Sequence, residues 1–414
     1  MTQRVLPFLL WASLLAPACT PGEDDTDPPI DVGRDDADAE EVFTGALVPV
    51  APPVEVHVSP DRVLGPVLLT SLSGSAAVIW GERDTEAANW GEPGVAMLDA
   101  AGALAFDPVH LPDSGHEPVG LEPLSAVRQL AYFTLQRDAG CAATLYRRTI
   151  DTAGRLMGST ATVDTLDDPL AVHVASVSGY SLVLAVEGSA CTARPFPAAR
   201  TIIVGADGTA TGEVPLGEAY RISALTAKPD ASGYLAARYV DSDGVRLDEL
   251  GLGGGLSRGW TIVRRDGTVA GTSSTAALAT GGTDYLLAWA GEVDGVQSWY
   301  LHQGPYGDDL EFGADPVALP LAARFDRRAA VAAFQGGYVV AYVPASGAPL
   351  RVDLLLGGTL EEGWSPDVPG EVTWVAVAPI GAQVAVAWIE KWAGAAAPSI
   401  LRAGLFRRNE TGGS

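Results

Sequence analysis

The sequence predicts an all-β fold, a seven-bladed β-propeller closed by an N-terminal strand in its last blade, and three observations carry the prediction. Beyond Phe43 no segment holds a helical period, and short β-rich runs separated by Gly, Asp or Pro recur instead. One apolar or aromatic position returns as Trp80, Leu135, Val186, Tyr239, Trp289, Tyr342 and Trp388, at spacings of 55, 51, 53, 50, 53 and 46 residues. Asp/Gly pairs interrupt the apolar runs where a hairpin is needed, because Gly accepts positive φ without steric cost.

The elements of each unit follow in order. An apolar run comes first, as at 67–72, 171–177 and 372–378. After a small turn comes the strand that holds the recurring position, and it often begins with a tyrosine: Tyr180, Tyr234, Tyr285, Tyr338. A third run stops at an Asp/Gly turn that starts a fourth, at Asp99 and Gly102, Asp151 and Gly154, Asp207-Gly208 and Asp266-Gly267. Four strands per unit of about 51 residues are half of what a β-sandwich domain requires, so a ring of blades is favoured over a row of sandwiches. Six or eight blades stay open if the glycine-rich stretch 251–255 hides a boundary. The last unit shows three strands only, at 372–378, 383–389 and 400–406, and the alternating run 54–58 is available to complete it. Pairing that run into the last blade closes the ring and covers an edge.

The 414 residues, 47% hydrophobic and 19% charged, exclude a fully disordered chain. A net charge of -25 repels phosphate backbones and anionic headgroups, so no nucleic-acid partner is expected. Arg outnumbers Lys 24 to 2, which names no ligand.

Residues 1–18 have the anatomy of a signal peptide: Arg4, an apolar run at 5–15, then Ala16, Pro17 and Ala18 before Cys19. That run is shorter than the ~20 residues of a membrane span. Cys19 after Leu-Ala-Pro-Ala resembles the lipobox of bacterial lipoproteins, which implies lipidation at Cys19. Residues 20–41 hold ten Asp or Glu, one Arg and three Pro, a composition that favours a solvated tether. They lack the spacing of a calcium loop. The predicted division is therefore 1–18 signal peptide, 19–45 lipidated cysteine and acidic tether, 46–408 propeller, and 409–414 disordered tail.

Cys141 lies six residues beyond Leu135 and Cys191 five beyond Val186, so both fall in equivalent loops of adjacent units. A disulfide between them is predicted, with two free thiols as the alternative. Chemistry is harder to find. Gly255-Leu256-Ser257-Arg258-Gly259 matches G-x-S-x-G, but a glycine run precedes it and no helix follows, so it reads as a loop. His110 and His116, with Asp113 and Glu117, are weak zinc candidates that a polar loop explains more simply; no metal and no cofactor are expected. His57, His173 and His302 are scattered singly on strand patterns and suggest no shared site. No sialidase-type Asp box, Walker loop or dinucleotide fingerprint is present. Trp289, Trp388, Tyr239 and Tyr342 share the strand column of the repeat, so they are expected in packing between blades rather than on a sugar-binding stripe.

The unit Asp284-Tyr285-Leu286-Leu287-Ala288-Trp289, with a later Asp/Gly turn, resembles the repeat of secreted bacterial β-propeller lipoproteins of unassigned activity. The resemblance covers roughly 46–408 and implies an outer-membrane lipoprotein of the cell envelope, facing the periplasm or the surface. Its expected role is a monomeric, non-catalytic binding or scaffold module for an envelope protein or glycan, held to the bilayer by its acyl anchor. The alternative is a propeller hydrolase or lyase acting on extracellular polysaccharide, which requires two or more carboxylates or histidines converging at the axis. Strands around the axis made of Ala, Val, Thr and Ser favour the first reading.

Overall fold

Seven antiparallel sheets stand around one axis in the computed structural model of the chain. It describes residues 45–84, 90–112, 115–124, 127–138, 140–188, 196–219, 223–240, 244–263, 276–293, 296–306, 319–321, 329–344, 350–366, 370–392 and 398–409. Blade 1 holds Val63–Leu72, Ser75–Arg83, Gly94–Leu98 and Val109–His110, from the axis outward. Blade 2 follows with His116–Leu124, Gln129–Arg137, Ala142–Ile150 and Leu156–Asp167, and blade 3 with Pro169–Val177, Tyr180–Glu187, Ala198–Val204 and Ala210–Glu218. Blade 4 holds Ser223–Ala227, Gly233–Val240, Gly244–Gly251 and Leu256–Val263; blade 5 holds Ala276–Thr280, Asp284–Val293, Val296–Pro305 and Leu319–Leu321. Blade 6 is Ala330–Phe334, Gly337–Tyr342, Arg351–Leu356 and Thr359–Trp364. The chain is a seven-bladed β-propeller. Stretch 251–255 is the turn between the third and fourth strands of blade 4 and hides no boundary. The turn between the third and fourth strands is therefore this glycine stretch and not Asp266-Gly267, which lies beyond the fourth strand and outside the described residues.

The closing blade confirms the expected strand exchange and extends it. Its own strands are Glu371–Ile380, Gln383–Lys391 and Ser399–Arg408. Val54–Ser59 pairs antiparallel with the last of these, Val54 opposite Ala403 and Ser59 opposite Ser399. Leu47–Pro49 continues along the same edge, with Leu47 opposite Arg408. The segment reaches further still, because the Ala46 N–H donates to the Glu362 carbonyl of blade 6 at 2.8 Å. The innermost strand of each blade contacts that of the next, and the last contacts the first.

Packing explains why the second strands are apolar throughout. Ser75–Arg83 and Gly233–Val240 are buried nearly end to end because both sheet faces are covered by neighbouring blades. The outer strand Ala210–Glu218, which borders solvent, instead alternates exposed and half-buried positions. Successive side chains of a strand point to opposite faces. Accordingly Ala76, Val78 and Trp80 pack against the closing blade while Ala77 and Ile79 pack against blade 2. Seven apolar clusters result, each shared by two adjacent blades.

All seven positions of the repeat column lie on second strands and are buried between blades. They do not share one register. Trp80, Trp289, Tyr342 and Trp388 face the preceding blade, whereas Leu135, Val186 and Tyr239 face the following one. A slip of one residue in aligning the units is enough to exchange the faces.

Three Asp turns have the expected construction. The Asp99 and Asp151 carboxylates each accept two backbone N–H groups across their turns, and Asp207 accepts that of Thr209. Gly102, Gly154 and Gly208 adopt φ of 87°, 76° and 86°, where a Cβ is strained. Among the described residues no helix is long and apolar enough to cross a membrane.

Candidate functional site

Among the described residues, five blades bury a carboxylate near the end of the second strand or on the third: Glu82, Glu187, Asp248, Asp353 and Glu390. Such a group is costly inside a protein unless a cation and hydrogen bonds surround it. Glu187 lies 3.2 Å from Arg200, Asp353 3.1 Å from Arg351, and Glu390 3.1 Å from Arg402. Asp248 makes a close ion pair with Arg238. The Tyr342 hydroxyl donates to Asp353 at 2.7 Å, and the Trp388 indole N–H to Glu390 at 2.7 Å.

Register makes this a repeated device. Arg200, Arg246, Arg351 and Arg402 sit on third strands opposite Ala185, Arg238, Tyr342 and Trp388. Glu187 and Glu390 each follow the opposed second-strand residue by two positions, and so does Glu82 after Trp80. In blade 1, however, Gly94 occupies the third-strand place opposite Trp80. A Cβ there would lie 2.1 Å from Cζ2 of Trp80, so the indole fills the space an arginine side chain would need.

Histidines gather around Glu82 in place of that guanidinium. His57 Nε2, from the N-terminal strand, lies 2.6 Å from Glu82 Oε1. His110, on the outermost strand of blade 1, completes a set whose potential ligand atoms all fall within 4.8 Å of one another. Trp80 organises the three: its N–H donates to Glu82 at 3.2 Å, His57 stacks on it at 5.3 Å, and His110 meets it edge-on at 6.3 Å. Arg62 reaches the other carboxylate oxygen at 3.4 Å, but it is half-exposed and also pairs with Asp84. Burial pushes the Glu82 carboxyl up; the neighbouring His57, the Trp80 N–H and His110 outweigh it, holding the group below its usual range. Two imidazoles and a carboxylate are a donor set suited to a borderline-soft divalent ion.

His116, grouped with His110 on sequence, is not part of this cluster. His116 begins the innermost strand of blade 2, where Nδ1 meets the Thr134 hydroxyl at 3.1 Å and the ring stacks on Tyr146. Burial and the nearby Arg148 lower its pKa. Glu117 pairs with Arg137 at 3.6 Å, and Asp113 lies outside the described residues. His57 and Glu82 were missed. The local signal was Trp80-Gly81-Glu82, matched by Trp388-Ile389-Glu390, and the predicted strand exchange already put His57 at the junction of the closing blade and blade 1.

Around the axis, titratable residues are sparse. The innermost strands of blades 1, 4, 5 and 6 carry none; the others carry His116, Glu117 and Glu122, then His173, then Glu371. His173 Nε2 meets the Ser223 hydroxyl of the next blade at 2.9 Å. Burial pushes the Glu122 carboxyl up to about 8, against a hydrogen bond to the Ser176 backbone that lowers it. His302 of blade 5 meets the Tyr285 hydroxyl at 2.8 Å and is lowered to about 4 by burial.

Other expected features separate cleanly. Ser257 lies on the strand Leu256–Val263, which rules out the strand–turn–helix setting of a nucleophile elbow. Cys141 falls between the second and third strands of blade 2, as expected, and is disulfide-bonded; Cys191 lies outside the described residues. The expected signal peptide at 1–18, Cys19 and the expected tether at 20–41 lie outside them as well.

No family model and no curated protein matches the chain. Among solved structures it is similar to an acylaminoacyl peptidase in complex with Z-Gly-Gly-Phe-chloromethyl ketone, at 9% identity and a TM-score of 0.47, covering 82% of this chain and 51% of that one. It is similar to a prolyl endopeptidase at 9% identity and a TM-score of 0.48, covering 84% and 50%. The chain thus spans about half the length of these two peptidases. The WD40 domain of Toxoplasma gondii coronin is similar at 12% identity and a TM-score of 0.47, covering 87% of this chain and 90% of that domain.

Proposed function

We propose that this propeller is a non-catalytic binding or scaffold module of the bacterial cell envelope, lipid-anchored at Cys19 and presenting the ring to a protein or glycan partner. The observation that supports it is the make-up of the strands around the axis, four of which carry no titratable residue. A hydrolase or lyase at the axis needs two groups of matched pKa at fixed separation. Here Glu117 is taken up by Arg137, His116 by Thr134 and His173 by Ser223. In this reading the acidic tether at 20–41 holds the ring away from the bilayer as a monomer, on the outer membrane. A Cys141–Cys191 bridge between blades 2 and 3 belongs to the same reading, supported by the bonded state of Cys141 and the oxidising compartment.

The test expresses the full chain in a Gram-negative host. Mass spectrometry of the N-terminal peptide is expected to find an acylated Cys19, fractionation to recover the chain with the outer membrane, and Cys19→Ala to release it. The purified chain is expected to leave a panel of extracellular polysaccharides intact. Release of reducing ends or unsaturated sugars would transfer the assignment to the hydrolase or lyase reading.

A further inference from the structure

We propose that His57, Glu82 and His110 bind a zinc-class divalent cation that clasps the N-terminal strand to blade 1 and so locks the ring. The argument begins with charge. Glu187 and Glu390, which occupy the place of Glu82 in their own blades, have Arg200 and Arg402 on the third strand. Blade 1 puts Gly94 there and leaves a carboxylate that is 3% exposed to two imidazoles and a half-exposed arginine 3.4 Å away. A divalent ion supplies the missing positive charge.

Geometry agrees. Bonds of about 2.0 to 2.2 Å to a tetrahedral ion put ligand atoms about 3.3 to 3.6 Å apart. The three donors lie within 4.8 Å of one another, so small side-chain rotations bring them onto one ion. His57 Nε2 already faces the carboxylate, 2.6 Å from Oε1. The Trp80 N–H orients Glu82 from outside the donor set, as partners of metal ligands do. His110 is exposed, so the ion has access from solvent and water completes four-coordination. Nitrogen donors select zinc over calcium or magnesium, which prefer all-oxygen sites.

The connectivity gives the ion its consequence. His57 belongs to the strand that completes the closing blade, whereas Glu82 and His110 belong to the second and fourth strands of blade 1. Three bonds to one ion therefore cross the seam where the two ends of the chain meet.

The experiment uses the full chain, purified without a histidine tag and stripped with a chelator. Titration calorimetry with zinc chloride is expected to give one site per chain, with no calcium binding at the same concentrations. Zinc is expected to raise the thermal unfolding midpoint and to slow hydrogen exchange across Val54–Ser59. His110→Ala and His57→Ala are each expected to abolish all three effects. The proposal is overturned if the wild-type chain takes up no zinc, if binding survives both substitutions, or if bound zinc leaves exchange across Val54–Ser59 unchanged.

Discussion

Gly94 stands opposite Trp80 in blade 1 as Arg402 stands opposite Trp388 in the closing blade. Each tryptophan donates its indole N–H to a glutamate two residues on, yet only one of these glutamates has a guanidinium across the strand. Blade 1 thus keeps the carboxylate of the closing blade and exchanges its counter-charge.

The glycine is fixed by sterics. Gly94→Ala places a Cβ 2.1 Å from Trp80 Cζ2, closer than real contacts allow, and forces the buried indole to move. Overpacking of this kind costs about 1 to 3 kcal/mol. Urea unfolding followed by tryptophan fluorescence checks this, with a lowered midpoint expected.

Ion pairs within a blade are expected to matter most where both partners are buried. Arg238 and Asp248 are both buried, and Arg238 also donates to the Glu218 carbonyl of blade 3 at 2.6 Å. Arg238→Met leaves Asp248 with the more distant Arg246 and is expected to cost about 3 to 5 kcal/mol. Changing Asp248→Leu in the same chain is expected to recover most of the loss. A double-mutant cycle in urea measures both.

Glu122 carries a pH signature. The unfolded chain releases this proton near 4.5 and the folded chain at about 8. Between those values the folded state holds the additional proton, so the contribution of Glu122 to stability is complete below 4.5 and fades as pH rises through 8. Thermal unfolding midpoints across that window are expected to fall in the wild type, and Glu122→Gln is expected to remove part of the fall.

The bridge at Cys141 gives a covalent prediction. Non-reducing peptide mapping is expected to yield one fragment joining it to Cys191. Cys191→Ser frees a loop of about 50 residues and is expected to lower stability by about 4 kcal/mol in the chain-entropy estimate, read as a shift in the urea midpoint.

What the sequence disclosed follows from the range of each interaction. Alternation, Asp/Gly turns and the recurrence of Trp80 through Trp388 are written locally, and the blades and their closure at 54–58 could be read from them. The seven-fold column still hid two registers, since Leu135 and Trp80 differ by one step along their strands and periodicity alone does not show which neighbour a side chain meets. The His57–Glu82–His110 group was illegible for a related reason. Its members are 25 and 28 residues apart along the chain, and only the crossing of two blades brings them together. Gly94, whose meaning lies in the absent arginine, carried no signal until Arg200, Arg351 and Arg402 could be superposed on it by register.

Closure by the N-terminal segment also sets an order of events during synthesis. Val54 is made well before Ala403, its partner, so the edge made first must wait through the synthesis of all the intervening blades for the strand that covers it. Pairings of such sequence separation form slowly, because the loop-closure entropy precedes any gain in contacts. The chain therefore travels as an unclosed arc with two exposed rims until the strand Ser399–Arg408 arrives to join them.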